Sequence, residues 1–231
     1  MIQAYNLTKT YNGKAALKDV SFSVKKGEVF CLLGQNGAGK TTTINLFLGF
    51  IEATSGKATI NDREIRSGDP DVNKMVAYIP EVVQLYGNLT GTENLNFFSR
   101  LAGFKYTSEQ LNEFLTRAGL QSDAHSNKLS TSSKGMRQKV GIAIALSKNA
   151  DVIFMDEPTS GLDPKATSEF TAICKGLAKE GKSIFMATHD IFNAVNVGSR
   201  IGIMKDGSLV HEIETVDITA DQLQQLYLET I

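Results

Sequence analysis

Short apolar runs alternate with amphipathic stretches along the chain. The segment "AYNLTKTYNGKAALKDVSFSV" alternates apolar and polar residues on both sides of Asn12–Gly13, which is typical of a β-hairpin. The mostly apolar "GEVFCLLG" predicts a buried strand, and the residues after it place Ile44, Phe47 and Leu48 on one face of a helix. The chain is therefore expected to begin with antiparallel strands and to continue with a buried strand and a helix.

The middle of the chain has helical spacing from about residue 85 to residue 149. Thr107 and Gln110 have the spacing of a capping box, and Gly119 follows the last apolar position of the helix they begin. After this region we expect a strand over 151–155, a helix, a strand over "KSIFMAT", a hairpin turning at Asp206–Gly207 and a final helix. Strands separated by helices predict a parallel α/β core with a helical insertion.

Composition narrows the class of protein. The 231 residues are 42% hydrophobic and 21% charged, which is typical of a globular chain with a sizeable core. The net charge of −1 provides no basic field for nucleic acid. Cys31 and Cys174 lack metal-ligand spacing and are expected to be small buried hydrophobes in a reducing compartment. No signal segment and no apolar run near the ~18 residues of a membrane span is present, so any work at a membrane requires a partner.

The strongest motif is "GQNGAGKT", Gly34 to Thr41, which fits G-x-x-x-x-G-K-[ST]. Glycines allow consecutive backbone N–H groups to surround an anion, and the following helix N-terminus adds partial positive charge. Lys40 can reach the β- and γ-phosphates, and the Thr41 hydroxyl can ligate Mg²⁺. A chance glycine-rich turn is the alternative, which the strand before and the helix after the motif disfavour. The predicted nucleotide-binding residues here are Gly34, Gln35, Asn36, Gly37, Ala38, Gly39, Lys40, Thr41 and Thr42.

Two adjacent carboxylates follow the apolar run "VIFM" in "VIFMDEPTSGLDP". Asp156 lies at the end of a predicted parallel strand, where it can hold the Mg²⁺ that accompanies a nucleoside triphosphate. Glu157 points elsewhere and can orient or deprotonate an attacking water. A solvated acid pair on a loop is the alternative, and the phosphate loop in the same chain argues against it.

These motifs resemble those of the ATP-binding subunits of ATP-binding-cassette (ABC) transporters, over nearly the whole chain. "GQNGAGKT" resembles that family's Walker A loop, and "VIFMDEP" resembles its Walker B strand with the catalytic glutamate. "SSKGMRQK", Ser132 to Lys139, resembles its signature, and "SGLD", Ser160 to Asp163, resembles its D-loop. "ATHD" puts His189 at the position of a switch histidine that contacts the γ-phosphate, and "KTYNG" puts Tyr11 where an aromatic ring stacks on adenine.

The resemblance implies an α/β fold: a P-loop NTPase (RecA-like) core with an N-terminal antiparallel β subdomain and an inserted α-helical subdomain. The whole chain, 1–231, is expected to be one ABC ATP-binding domain. Residues 1–81 and 150–231 would form the β edge and the core. Residues 82–149 would form the helical subdomain with the signature motif.

The resemblance also implies that two subunits pack head to tail around two ATP molecules. Ser133 and Gly135 would meet the γ-phosphate held by the other subunit, near the N-terminus of their helix, and Asp163 would cross the same interface. Each has a structural alternative, since Ser133 can be an N-cap and Asp163 can be the N-cap before Pro164.

Histidines and Tyr11 have structural alternatives as well. A histidine after a strand is usually a polar loop residue, and only its position supports His189 as a catalytic contact. Tyr11 can be a core aromatic of the hairpin instead of an adenine platform. His125 and His211 match no motif and are expected on the surface.

Three residues depart from the commoner family pattern. "YIPE" puts Glu81 where most relatives have a glutamine that senses Mg²⁺ and water, and an ionised glutamate can ligate Mg²⁺ but cannot donate a hydrogen bond. Lys134 and Met136 replace a glycine and a glutamine of the usual signature. "S-K-G-M-R-Q" together with "Y-[IL]-P-E" resembles ATPases of ABC-2-type exporters, in which a separate chain supplies the membrane helices.

The expected cofactors are ATP and Mg²⁺, with Thr41, Glu81 and Asp156 toward the metal. One expected partner is a transmembrane permease, which the surface of about 82–106 would contact at the cytoplasmic face of the membrane. The other is a second ATP-binding subunit, identical or related. No nucleic acid is expected. The alternatives are a soluble ABC ATPase of iron–sulfur assembly and a DNA-repair ATPase. The latter would have a long coiled coil between the Walker motifs, and no sustained heptads occur there.

Overall fold

The computed structural model of the protein describes residues 2–69 and 71–231. Its strands divide into two sheets. In chain order they are β1 (Ile2–Tyr11), β2 (Lys14–Val24), β3 (Val29–Gly34), β4 (Ser55–Ile60), β5 (Arg63–Glu64), β6 (Val76–Ile79), β7 (Val152–Asp156), β8 (Ser183–Thr188), β9 (Arg200–Lys205) and β10 (Ser208–Glu214).

The first sheet is antiparallel, with the strand order β2-β1-β4-β5. Its β1–β2 hairpin turns at Asn12 and Gly13, whose φ angles of 47° and 81° are the left-handed values that a two-residue hairpin turn needs. The hairpin at the start of the chain is therefore confirmed.

The second sheet has the order β10-β9-β3-β8-β7-β6. All neighbours in it are parallel except β10, which pairs antiparallel with β9. The expected hairpin at Asp206–Gly207 joins these two strands. Because the central strands are covered on both faces, they are continuously apolar instead of alternating.

Helices cover the parallel sheet, and their bounds are α1 (Lys40–Phe47), α2 (Val72–Met75), α3 (Gly91–Leu101), α4 (Ser108–Arg117), α5 (Lys134–Ser147), α6 (Pro164–Lys179), α7 (Ile191–Val197) and α8 (Ala220–Thr230). Helices α3, α4 and α5 pack on one another between β6 and β7 in sequence, inside the expected helical insertion. The capping box of Thr107 and Gln110 is confirmed at the start of α4.

Two apolar cores hold the layers together. One joins the two sheets and α1 through aromatic rings, with Phe22, Phe30 and Phe185 stacked at centroid distances of 5.3 to 5.8 Å. The other lies on the opposite face of the parallel sheet, under α3 to α8. Cys31 and Cys174 are fully buried in this second core and unbridged, as expected. The α/β fold class is confirmed, whereas the exact domain boundaries stay a prediction.

Register brings three strand ends to one edge of the parallel sheet. Leu33 pairs with Thr188, and Asp156 pairs with Ala187. The loops that follow β3, β7 and β8 therefore begin side by side, and they contain the phosphate-loop motif, Glu157 and His189. A crevice at the carboxyl ends of parallel strands is where ligands bind in open α/β sheets.

One expectation about histidine was wrong. His125 is 4% exposed, and its Nε2 lies 3.1 Å from the backbone oxygen of Leu120. It closes the loop after α4, so it is a structural residue and not a surface one. His211 is half-buried on β10. In the described part of the chain no helix is both long enough and apolar enough to cross a bilayer.

Candidate active site

The phosphate loop runs from β3 into α1, and two of its glycines are required by backbone geometry. Gly37 and Gly39 have φ angles of 85° and 110°, which L-residues with side chains rarely adopt. A Cβ at Gly39 would also lie 2.7 Å from the backbone oxygen of Ala16. Gly39 is the N-cap of α1 and contributes no side-chain hydrogen bond, so the N–H groups of the first turn stay available for an anion.

Lys40 has its ammonium inside the loop. Nζ donates to the backbone oxygens of Gly34 at 2.6 Å and Gln35 at 3.3 Å, and lies 3.3 Å from Oε1 of Glu157. The side chain is 5% exposed. A buried charge needs such partners, and a phosphate group entering the loop would compete with Glu157 for this cation.

Thr41 and Asp156 form the second polar contact of the site. The Thr41 hydroxyl donates to Oδ2 of Asp156 at 2.9 Å. Burial raises the pKa of Asp156, the hydrogen bond from Thr41 lowers it, and the nearby charge of Glu157 raises it. A cation placed beside this carboxylate would favour its ionised form, which is the chemistry of a divalent metal site.

Glu157 links the phosphate loop to the loop after β8. Its backbone has a φ of 44° and its N–H donates to Ala187 O at 2.9 Å. Oε2 accepts the backbone N–H of His189 at 3.2 Å and lies 2.8 Å from His189 Nδ1. The left-handed conformation is unfavourable for a glutamate, so the surrounding fold imposes this side-chain direction.

These groups surround one cavity of about 210 Å³, called the phosphate-loop pocket. The carboxylates of Asp156 and Glu81 and the hydroxyl of Thr41 fit Mg²⁺. This ion is usually held by one or two carboxylates together with substrate phosphates and water. The described residues contain no group of three or more His, Cys, Asp and Glu side chains that could hold a metal ion. The pocket is lined by Ala16, Gln35, Asn36, Gly37, Gly39, Lys40, Thr41, Thr42, Glu81, Asp156 and Glu157.

The signature residues lie around a different cavity. Exposed Ser133 is the N-cap of α5, with Oγ accepting the N–H of Met136 at 3.2 Å. Asp163 is the N-cap of α6 and accepts the N–H of Ala166 at 2.9 Å. Both capping alternatives are therefore real, and neither excludes a contact with a second subunit. This signature cavity has a volume of about 550 Å³ and includes Ser133, Lys134, Gly135, Gly161, Leu162 and Asp163 in its lining.

Tyr11 and His189 lie outside the lining of both cavities. Tyr11 is 44% exposed at the end of β1, lines neither cavity, and has Lys9 Nζ 4.9 Å from its ring centroid. His189 is exposed and reaches the site through Glu157. Gly34 takes part through its carbonyl, and Ala38 is buried under the loop.

Sequence reasoning placed Ser160 in the segment that resembles a D-loop but gave it no contact, whereas its hydroxyl donates to Oε1 of Glu81 at 2.9 Å. It also missed a buried network in which Asn193 donates to Thr159 at 3.3 Å and accepts from Thr171 at 2.9 Å. The spacing of these residues along the chain contains no signal for such contacts. Only the pairing of β6, β7 and β8 brings their loops together.

The fold and the phosphate-loop pocket define an ATP-binding P-loop ATPase with an inserted helical region. Residues 17–160 match the family model described as "ABC transporter". The chain therefore belongs to the ABC transporter family, and it is an ATPase of that family.

Known proteins of similar sequence and fold agree. The chain is 34% identical to the linearmycin resistance ATP-binding protein LnrL of Bacillus subtilis over 91% of its own length and 68% of that protein. It is 37% identical to the fluoroquinolones export ATP-binding protein Rv2688c of Mycobacterium tuberculosis over 91% of its own length and 69% of that protein. The dimeric, post-hydrolysis ATP-binding cassette MJ0796 with ADP and Pi is similar with a TM-score of 0.81 and 30% identity, over 93% of this chain and 99% of that one.

Proposed function

We propose that this chain hydrolyses ATP in order to drive an ABC-2-type exporter, acting with a second ATP-binding subunit and a separate permease. One observation carries the proposal. Phosphate-binding and acid–base groups meet in one pocket, while Ser133, Gly135 and Asp163 line another cavity and need a second nucleotide to act on. Export is the direction favoured by two relatives, the linearmycin resistance protein LnrL and the fluoroquinolones export protein Rv2688c.

In this mechanism nucleotide binding begins at Lys40. The triphosphate enters over the N–H groups of Gly37 to Thr42, and Lys40 exchanges its contact with Glu157 for phosphate oxygens. That exchange frees Oε1 of Glu157, which accepts no hydrogen bond from any residue that the structure describes. The base is therefore released only when the site is filled.

In this proposal Thr41, Asp156 and Glu81 would hold Mg²⁺, which when bound would neutralise negative charge on the phosphates. The Thr41–Asp156 hydrogen bond orients the hydroxyl and the carboxylate toward the same space. Glu81 approaches from the loop after β6.

Glu157 is the general base, since one carboxylate oxygen is engaged by His189 and the other is released by Lys40. With Nδ1 turned toward Glu157, the Nε2 atom of His189 faces outward and can contact a γ-phosphate. His189 thus orients the base and senses the phosphate at the same time.

The second ATP-binding subunit, identical or related, packs head to tail. Its Ser133 hydroxyl and the N–H groups near Gly135 meet the γ-phosphate at the N-terminus of α5. Asp163 crosses the same interface. Tyr11 stacks on adenine, and Lys9 Nζ lies over one face of its ring, 4.9 Å from the centroid.

An exposed aromatic cluster supports the 82–106 surface as the permease contact. Tyr86 and Phe97 meet edge to face at 5.1 Å, and Phe97 packs on Phe98 at 5.3 Å. Leu101 beside them is 74% exposed. Apolar side chains left in water on a helix favour a protein partner, here a cytoplasmic helix of a permease at the inner face of the membrane.

The test is co-purification from native membranes in mild detergent, with the tagged full chain. We expect a multi-span membrane protein in stoichiometric amount. Phe97→Ser should abolish its recovery, whereas Phe192→Ser, which changes another exposed phenylalanine, on α7, should not. Recovery with soluble partners alone would overturn the transport role and favour a non-transport assembly.

A further inference from the structure

Glu81 has one side-chain partner that the motifs do not account for, the hydroxyl of Ser160. We propose that Ser160 is a positioning residue. It holds the Glu81 carboxylate at the end of the phosphate-loop pocket that contains Thr41 and Asp156, which is called the metal end. It also joins that pocket to the 157–163 turn. The inference rests on the proposed function, because it assumes that this pocket takes a nucleotide with its divalent cation.

Glu81 is an exposed side chain that would otherwise be free to rotate. It follows Pro80 after β6, and within the described part of the chain no lysine, arginine or histidine side chain pairs with it. The donated hydrogen bond occupies one lone pair of Oε1, and among residues 2–69 and 71–231 no side chain or backbone group donates a hydrogen bond to Oε2. A carboxylate restrained in this way keeps an oxygen available for a cation or its water.

Ser160 is itself held by the turn that it belongs to. Its backbone N–H donates to the backbone oxygen of Glu157 at 3.1 Å, and the N–H of Leu162 donates to the backbone oxygen of Thr159 at 3.1 Å. Buried Thr159 is fixed by Asn193 on α7. The hydroxyl that reaches Glu81 is therefore presented from an ordered segment.

The same turn connects the proposed base with the signature cavity. It begins at Glu157 and ends at Asp163, and Gly161 in its middle lies beside the ammonium of Lys134. A movement of Glu81 toward a bound cation pulls on Ser160 and hence on residues that line the signature cavity. The hydrogen bond thus gives the metal end of one pocket a direct connection to the surface offered to the other subunit.

Matched variants separate the hydrogen bond from the charge. Ser160→Ala removes the donor, and Ser160→Thr retains a hydroxyl. Glu81→Gln keeps an oxygen that accepts from Ser160 but loses the charge, whereas Glu81→Ala loses both.

The experiment measures Mn²⁺ binding to the full chain with a non-hydrolysable ATP analogue, by electron paramagnetic resonance. Ser160→Ala should weaken Mn²⁺ binding about 3- to 10-fold, the range for one charge-assisted hydrogen bond near the surface. Ser160→Thr should restore it. In the Glu81→Ala background, Ser160→Ala should have no further effect, since the two residues act through one contact.

Unchanged Mn²⁺ affinity in Ser160→Ala would overturn the inference. It would also be overturned if Ser160→Ala weakened Mn²⁺ binding by the same factor in the Glu81→Ala chain as in the wild-type chain. Binding of a fluorescent ATP analogue in EDTA is measured beside it. If the wild-type chain fails to bind that analogue, the proposed function itself is wrong. If it binds, a missing coupling refutes the role of Ser160 alone.

Discussion

The phosphate-loop pocket and the signature cavity differ in how complete they are. In the first, Lys40 contacts Glu157, Glu157 contacts His189, and Thr41 contacts Asp156. In the second, the polar groups serve the chain itself: Ser133 caps α5 and Asp163 caps α6. One region is organised by ion pairs and hydrogen bonds between its own side chains, and the other presents helix starts to solvent.

In the proposed mechanism, this difference divides the catalytic task between the two regions. Buried charges have to be paired within the subunit, because an unpaired one is costly. Helix N-termini that are exposed to water destabilise the chain little, and an anion bound beside them is stabilised by the helix dipole. Variants at the two regions should therefore fail in different ways.

The largest effect is expected for Glu157→Gln in the phosphate-loop pocket. The amide keeps the size of the side chain but cannot take a proton, so hydrolysis should fall about 10²- to 10⁴-fold with ATP binding intact. Single-turnover phosphate release and equilibrium nucleotide binding measure the two quantities. Near-normal turnover would refute Glu157 as the base.

Lys40→Ala should impair nucleotide binding by the same region. Loss of a buried cation that pairs with phosphate should weaken nucleotide affinity about 10²-fold or more. The substitution also leaves Glu157 without its cation, so the free energy of unfolding should be measured in parallel. Unchanged affinity in a folded variant would contradict the phosphate-loop assignment.

Gly135→Asp should break the signature region alone. A Cβ at Gly135 would lie 3.4 Å from that of Ala166, which is ordinary contact, so Gly135→Ala is a matched steric control. The added carboxylate would repel phosphate across the interface, and hydrolysis should fall about 10-fold or more while the single chain still binds ATP.

Mixing this variant with Lys40→Ala sharpens the comparison. A mixed head-to-tail pair has one intact composite site, made from the phosphate loop of one chain and the signature of the other. Activity should therefore return on mixing if the chain pairs with itself. Two inactive variants that stay inactive when mixed would speak against such pairing.

The smallest effect concerns pH. The pKa of Asp156 is raised, chiefly by burial, so protons compete with a metal cation at a pH above the ordinary range of an aspartate. Mn²⁺ affinity in the nucleotide complex should drop about tenfold per pH unit below that pKa.

The same shift has a consequence for stability without ligands. A raised carboxyl pKa favours the folded state when the group is protonated, and this contribution is lost as pH rises through the folded pKa. Asp156→Asn, which retains an acceptor for Thr41, should remove that part of the slope. Chemical unfolding of both chains across the acid range checks the sign, and equal slopes would contradict it.

Sequence patterns predicted most elements because their signals are local. Apolar runs found β3, β7 and β8, and a capping box located the start of α4. His125 was misjudged because burial depends on the loop folding back on the Leu120 oxygen, which no local pattern reveals. The Ser160–Glu81 contact was missed for the same reason, since it joins residues far apart in the chain.

The sequence by itself determined the chemistry of this protein: a loop that cradles phosphate, a lysine, a threonine and two adjacent carboxylates. These follow from residue types at fixed spacing, which act over one strand, one turn and one helix. Tertiary structure alone decided that Lys40 is held by Glu157, that Glu81 is held by Ser160, and that the signature lies outside the pocket. Strand register sets those distances, and register is a property of the whole sheet.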